Sequence, residues 1–164
     1  MTRNGLLSAI KTRILAATWS GGSVIFGSGS VVITNAIDRE QAFRLFRVPF
    51  CIIQYGEFKR DPEKGEDTNL LIGPIRTIIG NCVPGDGIGE NALMGANKTG
   101  GATASEGRGL TEIEEPLFDS IGLLNTQESI TIQFANAGAG GGELLDGMYR
   151  AWQEHEWEAV CTMT

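Results

Sequence analysis

Apolar residues recur at helical spacing at two places along the chain and alternate at strand spacing near its end. Leu110, Ile113, Leu117, Ile121 and Leu124 advance in steps of three and four, which puts all five on one face of a helix. Thr111 followed by Glu114 is a capping-box pattern at its start. Pro116 conflicts with that cap, so the helix either kinks there or begins near Glu115. Leu7, Ile10 and Ile14, with Leu6 and Leu15 beside them, predict an N-terminal helix that stops at Gly21-Gly22. Asp38 with Gln41 marks a second helix start, and Pro49 limits how far that helix runs.

Strand patterns fill the rest. Ser23 to Phe26 and Val31 to Thr34 are short β-like runs around Gly27-Ser28-Gly29, read as a hairpin. Phe50 to Tyr55 is apolar on both parities apart from Gln54, the mark of a strand covered on both faces. Leu70 to Val83 reads as a long strand, with a bulge or an edge position at Gly73-Pro74. Ile130, Ile132 and Phe134 alternate with Thr131 and Gln133, Ala135 to Gly142 reads as a glycine turn, and a last strand follows from Leu144. There Tyr149, Ala151, Trp157, Ala159 and Cys161 share one parity, and Trp152, Glu154, Glu156 and Glu158 the other. Gly56 to Asn69 is a charged loop, and Pro84 to Gly109 a long connection without periodicity, of the kind that tends to be functional. Grouped strands predict one α+β domain over residues 1–164, a single largely antiparallel sheet with amphipathic helices packed on one face and long glycine-rich loops.

Composition narrows the class. At 164 residues and 41% hydrophobic content the chain suits one globular domain, and no apolar run approaches the ~20 residues of a membrane span. Arg3, Lys11 and Arg13 interleave with the first apolar residues, as in a helix rather than a signal peptide. Cys51, Cys82 and Cys161 lie far apart in apolar runs and read as buried thiols of a protein folded in the cytoplasm. A net charge of −7 argues against a broad grip on nucleic-acid phosphates, though not against nucleic acid that moves past. Many of the 23 glycines lie in two clusters, Gly85 to Gly109 and Gly138 to Gly142, which suggests arms ordered by neighbours.

Catalytic motifs fail at defined positions. Gly85-Asp86-Gly87-Ile88-Gly89 has Glu90 where a dinucleotide loop needs its third glycine, and Asn97 replaces the glycine before Lys98-Thr99 that a phosphate loop needs. His155-Glu156 opens a zinc-protease string that ends on Ala159, so a locally hydrogen-bonded His155 is the expectation. No cofactor and no metal is expected. A Cys–His nucleophile would need partners that meet in space. The row Glu154, Glu156 and Glu158 admits three readings: a solvated face, a pore wall that keeps a polyanion from adhering, or pairing with Arg39, Arg44 or Arg47 of the same or a neighbouring subunit. Trp19 and Trp157 read as core, and Trp152 as an interface residue.

The order of elements, with Val48-Pro49-Phe50-Cys51-Ile52-Ile53-Gln54-Tyr55-Gly56 after the first helix and Gly107-Arg108-Gly109-Leu110-Thr111-Glu112-Ile113-Glu114-Glu115 before the closing strands, resembles the tail terminator (tail completion) proteins of long-tailed bacteriophages. The resemblance implies a small α+β structural protein of the virion rather than an enzyme, assembled in the host cytoplasm into a hexameric ring at the head–tail junction. Such a ring caps the tail tube protein and faces the head connector or stopper, with the sheath or a sheath terminator as a further partner. Genomic DNA passes without specific binding and no membrane is involved. Lys59, Arg60, Lys98, Arg108 and Trp152 are then the expected protein contacts, and Glu154, Glu156 and Glu158 the expected channel-facing row. Another head–tail adaptor, stopper or neck protein is the nearest alternative, and a small enzyme with a glycine-loop site the more distant one.

Overall fold

The computed structural model of the chain describes residues 1–19, 22–60, 69–84, 93, 109–128 and 130–162. Among them the chain forms three helices, α1 (Arg3–Ala16), α2 (Arg39–Leu45) and α3 (Leu110–Gln127), and one six-stranded sheet, a mixed α+β arrangement. The strands are β1 (Val31–Ile33), β2 (Phe50–Tyr55), β3 (Lys59–Arg60), β4 (Leu70–Pro84), β5 (Ile132–Leu145) and β6 (Met148–Thr162). Their order across the sheet is β1-β2-β4-β6-β5, with β3 also on β4. Only β1 and β2 run parallel; the other pairs are antiparallel. No helix among the described residues is long and apolar enough to cross a membrane.

Periodicity placed the long helices well. Leu110, Ile113, Leu117, Ile121 and Leu124 of α3 are all buried, as are Leu6, Leu7, Ile10 and Ile14 of α1. Each such side chain contributes about 1.5–3 kcal/mol by leaving water. They form one cluster with odd-numbered sheet residues, among them Cys51, Ile53, Ile75, Ile79, Ala151, Trp157 and Ala159. A second, smaller cluster joins Ala42 of α2 to even-numbered Phe50, Ile52 and Ile78, so the two clusters lie on opposite faces of the sheet. Arg13 Nε bonds Glu128 Oε1 at 2.6 Å and its Nη2 bonds Gln127, tying the C-terminal end of α1 to that of α3.

Several local expectations are corrected. α1 ends at Ala16, before the glycines, where the backbone bonds change partner: Ile25 N–H donates to the Ala17 carbonyl and Gly22 N–H to that of Trp19. The runs flanking Gly27–Gly29 are not a hairpin; Val24 bridges back to Thr18, and β1 pairs parallel with β2. α3 begins at Leu110 and runs through Pro116, with Gly109 as an N-cap that makes no side-chain bond. The capping-box residues are used elsewhere: Thr111 Oγ1 donates to the Leu93 carbonyl and Glu114 reaches His155.

Gly73-Pro74 is neither bulge nor edge. The β4–β6 register runs unbroken through Gly73↔Ala159 and Pro74↔Glu158, with β4 in the sheet interior. Pro74 sits where the neighbour on its other side changes from β2, which ends at Tyr55, to β3, which begins at Lys59, so its missing N–H costs no ladder bond. The stretch Ala135 to Gly142 is not a turn. It lies within β5, which pairs with β6 through register shifts at Phe134/Asn136 and Ala137/Gly140. The turn is Asp146-Gly147, both at positive φ (52° and 76°), two residues between paired Leu145 and Met148. Glycines are required in β5 because β6 side chains lean over them: a Cβ at Gly141 would meet Trp152 Cζ2 at 2.7 Å, and one at Gly140 or Gly142 would meet Gln153 or Tyr149.

Candidate functional site

Strand alternation carries Trp152, Glu154, Glu156 and Glu158 to the α2 face of the sheet. Arg76, the cross-strand partner of Glu156 on β4, stands among them. Its guanidinium lies 3.9 Å from Glu154 and 3.8 Å from Glu156. At that range, and with Arg76 and Glu156 partly exposed, each contact contributes at most about 1 kcal/mol. Within the chain, the carboxylates pair with Arg76 rather than with Arg39, Arg44 or Arg47. Glu154 is the most enclosed of the row, with 16% of its side chain exposed, and Glu158 is exposed. Arg76 and Gln54 are shared by two shallow recesses of about 240 and 270 Å³, one reaching Asn35 and Glu156, the other Asp38, Arg39 and Glu154. The face therefore presents Glu154 and Glu156 beside Arg76, with Arg39 bordering the same recess as Glu154.

Trp152 is partly covered by its own chain. Arg39 of α2 lies over the indole at 4.3 Å from the ring centroid, and Gly141 passes beneath its edge. Among the described residues no group accepts from its buried Nε1. Lys59 and Arg60 are exposed on β3, where Lys59 is 3.5 Å from Glu57. Lys98 and Arg108, with most of the connection that carries them, lie outside the described residues.

A second surface comes from β5. It is the end strand of the sheet, and nearly all its residues are exposed. Antiparallel pairing alternates backbone groups between the partner strand and the open side. Those of Ile132 point outward and are met by Asn125 of α3, whose side-chain amide donates to the Ile132 carbonyl at 2.7 Å and accepts from its N–H at 2.9 Å. Farther along, Gly140, Gly142 and Leu144 are the outward-pointing residues of the regular stretch that pairs with Gln153, Ala151 and Tyr149. The strand between Ile132 and Leu145 has one charged residue, Glu143, which lies 3.9 Å from Arg150. Leu144 and Leu145 are about half exposed.

His155, Cys51 and Cys161 are buried on the other face. His155 is 1% exposed and its Nε2 is 2.7 Å from Glu114 Oε1, a bond from strand to helix rather than the local one expected. Phe118 packs edge-on to the imidazole with Phe134 also beside it, and Phe118, Phe134 and Trp157 pack edge-on or tilted against one another. Trp157 Nε1 donates to Thr77 Oγ1 at 3.0 Å. Burial pushes the thiols of Cys51, Cys82 and Cys161 up, offset at Cys82 by Arg150 and at Cys161 by Arg3 and the N-terminal amine. Raised thiols are weak nucleophiles. Cys161 is also six residues from His155 along β6, roughly 20 Å, out of reach of a proton transfer.

Arg76, Asn125 and the Glu114–His155 bond were not read from the sequence. Asp146-Gly147 between two apolar runs was the available signal for the hairpin, and with it for an open β5 edge. In comparisons with known proteins no family model matches the chain, and no curated protein matches it.

Proposed function

We propose that the chain is a structural virion protein of a long-tailed bacteriophage, a tail terminator. Six copies form a ring that covers the growing face of the tail tube and offers the head connector a different surface. The observation that carries this reading is the sheet face bearing Glu154, Glu156 and Glu158, the first two beside Arg76. Carboxylates in a row repel a polyanion, so a wall made of them lets duplex DNA slide instead of holding it. The order of helix, strand, long strand, helix and closing hairpin supports the same reading, as does the net charge of −7. Lys59, Arg60 and Trp152, with Lys98 and Arg108, are the proposed protein contacts of the ring.

The test is placement. Mass spectrometry and electron microscopy of purified necks should find the chain at the junction, arranged as a ring. Its absence from assembled necks removes the proposal. Density on the portal side rather than the tube side reassigns it to a stopper or another adaptor. A rise of several degrees in melting temperature with nucleotides or divalent metals favours an enzyme instead.

A further inference from the structure

We propose that the open edge of β5 is a self-association site, where two copies join β5 to β5 in antiparallel register about a two-fold axis through Gly142. The outward backbone groups of Gly140, Gly142 and Leu144 are bonded by no other described residue, since β5 pairs with β6 alone. Single-chain proteins guard such an edge with lysine, proline or an inward charge. Between Ile132 and Leu145 the chain has no lysine, arginine or proline, and its single carboxylate already faces Arg150. At the start of the strand the edge is closed by Asn125, which supplies the donor and acceptor a neighbouring strand would supply. Beyond the two register shifts the pairing with β6 is unbroken from Gly140 to Leu145, and no described residue closes the edge there.

The occupant follows from the order of side chains. A two-fold axis at Gly142 pairs Gly140 with Leu144 of the second copy, Gly141 with Glu143, and Gly142 with itself. Each bulky side chain then falls opposite a residue that has none, and the two Glu143 carboxylates are kept apart. Leu144, 56% exposed, would lie beside Gln153, which leans over Gly140. The opposite edge of the sheet offers no equal match, because β1 is three residues long and Val31 is fully buried. Such a contact is isologous, whereas a ring closes through head-to-tail contacts, so the proposal does not rest on the ring reading.

Sedimentation of the full chain at increasing concentration in ~150 mM salt, which screens the net negative charge, tests it. A monomer–dimer equilibrium is expected, with amide exchange at Gly140, Gly142 and Leu144 slowing as the dimer fills. Leu144→Pro removes an outward N–H from each copy and leaves the β6 ladder whole, so dimerisation should weaken on the order of tenfold or more. Leu144→Lys places a guarding charge on the same exposed site and should do likewise with an unchanged urea midpoint. It decides the matter if the proline variant does not fold. Monomers at every concentration, or a dimer or larger assembly that survives Leu144→Lys, overturns the proposal.

Discussion

Gly80→Ala measures how tightly the two sides of the sheet are matched. Gly80 lies directly across from Phe50 in the β2–β4 register, and the Phe50 ring is folded over it. A Cβ at Gly80 would stand 2.6 Å from Phe50 Cε1 and closer still to Cζ. The ring has nowhere to go. It is fully buried, with Phe43 edge-on at 4.9 Å and Phe46 at 6.3 Å. Forcing one methyl into a filled core costs about 1–3 kcal/mol. Restricting the unfolded chain returns about 0.4–1 kcal/mol. A net loss of about 1–2 kcal/mol is expected, or a fall of roughly 2–8 °C in melting temperature for a chain of this size. Urea unfolding followed by tryptophan fluorescence reads it. Phe50→Leu alone should also destabilise, but in the double variant the smaller side chain makes room for the methyl. The double loss should then fall short of the sum by about 1 kcal/mol. An unchanged urea midpoint for Gly80→Ala, or strict additivity in the double variant, refutes the steric reasoning.

Other outcomes follow from single contacts. Gly122→Ala, in the exposed face of α3 with open space where the methyl goes, should stabilise by about 0.5–1 kcal/mol in the same urea assay. Thr77→Val keeps the shape of the side chain but strands the buried Trp157 N–H, and should cost about 1–3 kcal/mol, visible as a lower urea midpoint. Cys51 sets an alkaline limit. Burial holds its folded pKa above the unfolded one, so its contribution is complete below about pH 9 and is lost as pH rises further. Urea midpoints between pH 8 and 10.5 should fall for the natural chain, by at most about 1.4 kcal/mol per pH unit from this thiol, and less steeply for Cys51→Ala.

What the sequence revealed was whatever its own local spacing determined. The five apolar residues of α3 and the four of α1 are buried because one helical face is enough to choose them. The alternation along β6 sent Ala151, Trp157, Ala159 and Cys161 inward and Glu154, Glu156 and Glu158 to the other face for the same reason. What it concealed depends on partners distant in the chain. Gly138 to Gly142 looks like a turn because glycine breaks local order, yet its glycines make room for Trp152, Gln153 and Tyr149 on β6. Thr111 and Glu114 have the spacing of a cap but bond Leu93 and His155 instead. Gly73-Pro74 suggests an edge until the handover from β2 to β3 is known. Of the candidate site, the acidic row and Trp152 were legible by parity, whereas Arg76 emerged only once β4 was registered against β6.

The first residues of α1 and the last of β6 meet. Thr2 bridges Thr162, whose N–H donates to the Met1 carbonyl at 2.7 Å. This bridge ties the residue that caps α1 to the far end of β6, so the two keep or lose their order together. Ala151, opposite Gly142, is eleven residues back along β6, roughly 35 Å away. A label attached beside Thr2 would report on association at the glycine rim without shading it.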